Sequence, residues 1–291
     1  MTVKKMLCLA LFAAPFMLAA QSPVSGFMQG KGRGSVVVSY STEKYDEVFL
    51  VPETIESVPI FNEVQTTSFS LYGTYGLTDK LDIVLNAPYI RSKGAATDAT
   101  LTDLGYENER KGLQDIGLHL KYSAVNIDFG GSSLRLLGTL GVQTPIGDYK
   151  VDEGLQSIVA IGNRATKVNA LAAAHFQTES GLFATAQGGY SFRGDDVPNA
   201  VLSEFKVGYA GSSFYVDGYV AGQLSTDGVD ILQDGFVGIF PATRVSYTRV
   251  GASVFVPVAG GFGVAGGASA YVAGRNIGKA TNFYGALVYS F

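Results

Sequence analysis

The sequence predicts an all-β protein: a transmembrane, antiparallel, up-and-down β-barrel of about twelve strands around a polar lumen. Three observations carry that expectation. Apolar and polar residues alternate with a period of two through most of the chain, which is the signature of strands with two unlike faces. Downstream of Ala20 no apolar run approaches the ~20 residues of a spanning helix, so any membrane crossing has to be made by strands. The chain also ends inside a strand, residues 281–291 (TNFYGALVYSF), on an aromatic residue. A terminus fraying in water gains nothing from that ring, whereas the last strand of a barrel is ordered by pairing with the first.

Residues 1–20 read as a secretory signal. Lys4 and Lys5 supply the positive start, residues 6–18 the apolar middle, and Ala19-Ala20 a small-residue cleavage site before Gln21. Cys8, the only cysteine, lies too early in the apolar run for lipid attachment and leaves with the signal, so no thiol or disulfide chemistry is expected. Of 21 basic residues the signal removes two, leaving 19 against 25 acidic ones, a net charge of −6. That balance argues against nucleic acid, which is bound by basic patches. Glycine, 37 of 291 residues, is well above the usual share of about 7% and suits curved, closely packed strands.

Residues 21–33 (QSPVSGFMQGKGR) form a short lead-in, expected to be exposed, and the barrel takes residues 34–291. The first strand carries Val36, Val38 and Tyr40 on one face, and a long polar stretch, residues 43–63, follows it. Strands two and three form the clearest hairpin. Phe69, Leu71, Gly73 and Tyr75 share a face that resumes, after Thr78-Asp79-Lys80, with Leu81, Ile83, Leu85, Ala87 and Tyr89. A three-residue turn keeps these odd-numbered faces in register, where a two-residue turn would flip one of them. Asp82 and Asn86 take the opposite face.

Strand four sets Ile116, Leu118, Leu120 and Tyr122 against Asp115, His119 and Lys121. Strand five sets Leu134, Leu136, Leu140 and Val142 against Arg135, Thr139 and Gln143. Strand six opposes Val168 and Phe176, with the alanines between them, to Lys167, Asn169 and His175. Strand seven opposes Leu182, Tyr190 and Phe192 to Thr185, Gln187 and Arg193. Strand eight sets Val201, Phe205, Val207 and Tyr209 against Glu204 and Lys206, and strand nine sets Val216, Val220 and Leu224 against Asp217, Tyr219 and Gln223. Strand ten opposes Val250, Val254 and Val256 to Tyr247, Arg249 and Ser253. Strand eleven, residues 262–272, is Gly-rich with a weak polar face, and the closing strand sets Phe283, Leu287 and Tyr289 against Ser290. Short turns alternate with longer connections, as they do at the periplasmic and extracellular rims of an outer-membrane barrel.

The direction of the alternation separates lipid from water. In a soluble barrel the apolar faces point inward, and a ring of about twelve strands would enclose more space than Ala and Val can fill. Inverted, the apolar faces meet lipid, Tyr40, Tyr89, Tyr122, Tyr190 and Tyr209 form interfacial girdles, and the charges line the lumen. The predicted lumen-lining set is Asp82, Asn86, Asp115, His119, Lys121, Arg135, Lys167, His175, Arg193, Glu204, Lys206, Asp217 and Arg249. With Gly211-Ser212 as a two-residue turn, Lys206 falls opposite Asp217, a predicted cross-strand ion pair. The mixed signs give no ladder for a strong anion or cation pore. His119 and His175, the only histidines, are expected as hydrogen-bonded luminal residues. Parity puts them on the wrong side for a lipid-modifying active site, and two His without a nearby Cys or carboxylate cluster make a poor metal site. No cofactor, metal or catalytic residue is predicted. The glycines around Lys31 and Arg33 lack the strand before and helix after that a phosphate loop needs. Apolar residues in the first long connection (Phe49, Leu50, Val51, Ile55, Val58, Ile60, Phe61) are expected to cap the barrel mouth.

Residues 26–41 (GFMQGKGRGSVVVSYS), 75–89 (YGLTDKLDIVLNAPY), 112–122 (GLQDIGLHLKY) and 141–149 (GVQTPIGDY) resemble an outer-membrane family named for a meta-pathway of phenol degradation. The resemblance spans most of the mature chain. It implies a barrel in the bacterial outer membrane, loosely similar to transporters of fatty acids and aromatic hydrocarbons, and hence passive uptake of small, hydrophobic or aromatic molecules. Those larger transporters carry an N-terminal plug, for which the lead-in here is expected to be too short. The expected partners are outer-membrane lipid and lipopolysaccharide, a small-molecule solute, and the barrel-assembly machinery. The last strand resembles the one such barrels present to that machinery, through Phe283, Leu287, Tyr289 and Phe291. Two other readings stay open: a structural or adhesive barrel with a closed lumen, and an outer-membrane lipid-modifying enzyme.

Overall fold

The fold was obtained as a computed structural model that describes residues 24–51, 53–236 and 238–291; the predicted signal sequence lies outside the described residues. Twelve antiparallel strands close into a ring. They are β1 (Gly34–Tyr45), β2 (Val64–Thr78), β3 (Leu81–Gly94), β4 (Asp115–Asp128), β5 (Ser132–Pro145), β6 (Lys167–Thr178), β7 (Leu182–Arg193), β8 (Ala200–Ala210), β9 (Tyr215–Ser225), β10 (Ser246–Ala259), β11 (Phe262–Arg275) and β12 (Thr281–Ser290). Each pairs with its neighbour in sequence, and β1 pairs with β12 from Ser35↔Ser290 to Lys44↔Thr281. Gly34 and Phe291 exchange backbone hydrogen bonds of 3.0 Å in both directions at the foot of that seam, so the terminal aromatic is held rather than frayed.

The outer wall is apolar and the inner face largely polar. On β4, Leu118, Leu120 and Tyr122 are exposed, whereas His119, Lys121 and Ser123 between them are buried. The same inversion recurs at Leu140 beside Thr139 and at Phe205 beside Glu204 and Lys206. In water such a wall would leave a continuous apolar band solvated; in a bilayer it is the favourable arrangement. Aromatic pairs ring the two rims: Tyr40–Phe69 at 5.0 Å and Tyr190–Phe192 at 4.8 Å toward the loops, Tyr209–Phe214 at 5.1 Å and Phe262–Tyr289 at 4.8 Å toward the turns. The protein is a transmembrane barrel, with short turns at one rim and longer loops at the other.

The β2–β3 hairpin keeps its odd-numbered faces together by a different route from a three-residue turn. Asp79-Lys80 is a two-residue turn, and a bulge between Gly76 and Thr78 supplies the third step. Two features of the loops were not anticipated. Glu109–Leu113 adds a short strand beside residues 89–93 of β3. Asp98–Leu104 forms a helix, α1, whose N-cap Thr97 side chain accepts the Thr100 amide and whose C-cap Gly105 is left-handed at φ 67°. In the first loop, Val48–Phe49 lies between Thr54–Ile55 and Ile277–Gly278 in a three-stranded sheet over the mouth. Beneath it Val58, Phe61, Val64, Leu101 and Val159 bury one another, which accounts for the apolar content of that loop.

Candidate functional site

The lumen is the candidate site, and the lead-in is part of it. Near the short turns, β1, β2, β3, β7, β9, β10 and β12 each turn one apolar or aromatic side chain inward. Val37, Tyr72, Val84, Phe183, Tyr215, Phe255 and Val288 form one buried cluster. The expected polar lumen thus carries an apolar collar at this level. Phe27 enters that collar, its ring centroid 4.3 Å from His175, 5.1 Å from Phe183 and 6.4 Å from Tyr215.

The lead-in is thus not an exposed stretch: Val24, Ser25 and Gly26 are buried inside the barrel. Its backbone is gripped by charges. Lys121 donates from Nζ to the carbonyls of Ser25, at 3.4 Å, and Phe27, and Asp82 Oδ2 accepts the Gln29 amide at 3.1 Å. The two gripping residues pair with each other at 3.1 Å. Lower down, the Lys31 amide donates to Asp79 Oδ1 at 3.0 Å, and the lead-in joins Gly76 through Gly32 N–H and Arg33 C=O, both at 2.9 Å. Two glycines permit the close approach. A Cβ at Gly26 would lie 2.4 Å from His175 Nδ1, and one at Gly76 2.0 Å from the Gly30 carbonyl oxygen.

Above the collar lies a polar chamber of about 320 Å³, lined by Lys167, Asn169, Gln187, Arg193, Glu204 and Arg249 among others. Its charges are held in pairs except for Arg193, whose partners are neutral. Asp115 meets Lys167 at 2.9 Å and accepts the Tyr149 hydroxyl at 2.5 Å. Arg249 donates to Ser269 Oγ at 3.0 Å, lies 3.4 Å from Glu43, and stacks 4.8 Å over Tyr271. Arg193 donates to Gln223 Oε1 at 2.6 Å. Glu43 belongs to this ring although it lies in a stretch that the sequence offers as a loop, because β1 runs on to Tyr45.

The other members of the predicted set lie on the same inner face. Asn86 stands opposite Tyr72 and Gly117, and Arg135 opposite Asn126 and His175. The Lys206–Asp217 pairing is corrected. Gly211 N–H bonds to the Phe214 carbonyl at 3.0 Å, so the β8–β9 turn has four residues, and Lys206 faces Tyr219. Lys206 Nζ lies 3.7 Å from Glu204 and 5.6 Å above the Tyr219 ring. Asp217 Oδ2 accepts from Tyr215 Oη and Ser253 Oγ, both at 2.6 Å. His175 Nδ1 lies 2.8 Å from Thr185 Oγ1, as a hydrogen-bonded luminal histidine should. His119 departs from that expectation: its ring rests on Gly141, and neither nitrogen has a hydrogen-bond partner among the described residues.

At the mouth, Arg275 fastens the loop of residues 226–245 through Asp230, with Nε–Oδ1 2.7 Å and Nη2–Oδ2 2.5 Å, and Asn276 Nδ2 adds a bond of 2.7 Å. Hydrogen bonding from Arg275 above all, against the opposing pull of desolvation, holds the Asp230 carboxyl below the ordinary carboxylate pKa.

The sequence matches the family described as "Putative MetA-pathway of phenol degradation" over residues 53–285, most of its length. The chain belongs to that family. Among solved structures, this phenol-degradation family member is similar to an outer membrane channel from Pseudomonas putida F1. The identity is 15%, the TM-score 0.67, and the match covers 90% of this chain and 96% of that one. A more distant likeness is to the translocator domain of the autotransporter NalP from Neisseria meningitidis, at 10% identity and a TM-score of 0.45, covering 89% and 88%. No curated protein matches the sequence. At such identities the structural likeness speaks to the fold, a closed outer-membrane barrel. The chemistry has to be read from the lumen of this chain.

Proposed function

We propose that the barrel is a passive outer-membrane channel for small, uncharged, apolar or aromatic molecules. The observation that carries this reading is the order of the lumen: a chamber whose charges, Arg193 aside, are paired leads to a collar of Phe27, Phe183 and Tyr215. Fixed charges already neutralised by partners offer an ion little, while an aromatic collar solvates a neutral ring. Membership of a family tied to phenol degradation supports the same class of solute. The barrel is read as a non-enzyme, since both histidines face inward, away from lipid.

The buried lead-in favours a second reading, a closed structural barrel. Both are tested by reconstituting the mature protein, and a variant lacking residues 24–29, in planar bilayers and vesicles. The channel reading expects para-cresol to enter vesicles faster than benzoate, and conductance to rise severalfold when the lead-in is removed. Two silent proteins, each shown to be folded, would establish the closed barrel instead.

A further inference from the structure

The loops over the mouth enclose a second cavity, distinct from the luminal chamber. Its volume is about 270 Å³, and four connections build it: Leu50 and Ile55 come from residues 46–63, Leu155 and Ile158 from 146–166, Phe240 from 226–245 and Ile277 from 276–280. None of the described residues that line it is Asp, Glu, Lys or Arg, so a charged guest would lose its hydration without compensation. An apolar cavity of about 150 Å³ takes a benzene ring, which leaves room here for a substituted one.

Of the uncharged polar side chains in the lining, one stands out. Thr243 is 4% exposed, and its hydroxyl hydrogen-bonds to none of the described residues. The other polar side chains include Ser157, whose hydroxyl donates to the Val151 carbonyl at 2.8 Å, and Asn276, which donates to Asp230 and to the Arg244 carbonyl. Among the lining residues Thr243 is the one whose buried polar atom is left over. A buried hydroxyl in that state is unfavourable; it has no open surface toward the cavity, and a change of χ1 rotamer brings it to a guest with one hydrogen-bonding group.

We propose that this cavity is an external capture site for a neutral one-ring aromatic molecule bearing a hydroxyl, with that hydroxyl paired to Thr243 once the threonine side chain turns toward it. The assignment rests on the channel reading and names where such a solute is first held. It also gives the loops a purpose besides covering the mouth: they present an apolar, uncharged site above a chamber full of charge.

The chain has no tryptophan, so Phe236→Trp supplies a single reporter. Phe236 packs against Phe240 of the cavity wall, ring centroids 5.5 Å apart. With full-length protein in vesicles, nitrobenzene should quench that reporter saturably, and para-cresol and toluene should displace it. Adding Thr243→Val should weaken para-cresol about fivefold, the worth of one neutral hydrogen bond, and leave toluene unchanged; adding Ile158→Glu should abolish saturation for all three. Quenching that rises linearly without saturation, or displacement indifferent to both substitutions, overturns the site. Vesicle entry of para-cresol separates the two readings. Entry without saturable binding removes the site and keeps the channel, and saturable binding without entry removes the channel and keeps the site.

Discussion

The side chains of Lys121 and Asp82 are 2% and 0% exposed, and each answers both the other and the lead-in. Lys121→Met alone would leave a carboxylate buried without its counter-ion, a loss of about 3–5 kcal/mol. In urea unfolding from lipid vesicles we expect each single substitution (Lys121→Met or Asp82→Asn) to destabilise strongly, and the double substitution to cost less than their sum. Strict additivity would mean the pair is not coupled. Period-two parity made the inner position of both residues legible in the sequence. That they hold the lead-in was not legible, because their targets are backbone groups of Ser25, Phe27 and Gln29, and no side-chain pattern records where a carbonyl will lie. Phe27 gave no signal for the same reason: it sits alone in a segment with no periodicity.

Turns and loops show where sequence reasoning loses detail. Counting Gly211-Ser212 as the whole β8–β9 turn displaced the register by two residues. A shift of two preserves which face each side chain takes, so the wall was right and only the partners were wrong. Phe214 continues the period-two alternation of Val216 and Val220, and its ring packs on Tyr209 outside the barrel, but its carbonyl closes the turn. In the loops, contacts made across distant segments decide structure. Asp230 reaches Arg275, 45 residues away, a separation no local pattern predicts. The Asp230 carboxyl has its pKa lowered on folding, so its contribution to stability is complete above the unfolded carboxylate pKa of about 4 and is lost as pH falls through the lower folded value. Asp230→Asn should reproduce the acid state at neutral pH. Amide exchange across residues 231–236 is expected to speed roughly tenfold, as the loss of a charge-assisted hydrogen bond implies; an unchanged rate would show that the loop is held by its apolar contacts alone.

At the scale of the whole molecule, the arrangement depends on what surrounds it. Leu120, near the middle of β4, is 45% exposed beside buried Lys121. Leu120→Arg should cost about 2–4 kcal/mol in a bilayer, as a charge facing lipid does, whereas a water-facing wall would accept it freely; unfolding from vesicles distinguishes the two. The seam between β1 and β12 has a further consequence, for the order of assembly. It joins residues such as Ser35 and Ser290, so nearly the whole chain is looped out before its first hydrogen bond can form, while every other strand pair joins near neighbours in sequence. Loop-closure entropy delays such contacts. The adjacent hairpins form first and the seam last, and until then both edge strands carry unpaired backbone groups open to any other strand. The lead-in, attached directly to β1, meets its place under β4, β6 and β7 while the cylinder is still an open sheet. The interior is therefore furnished before the wall is shut.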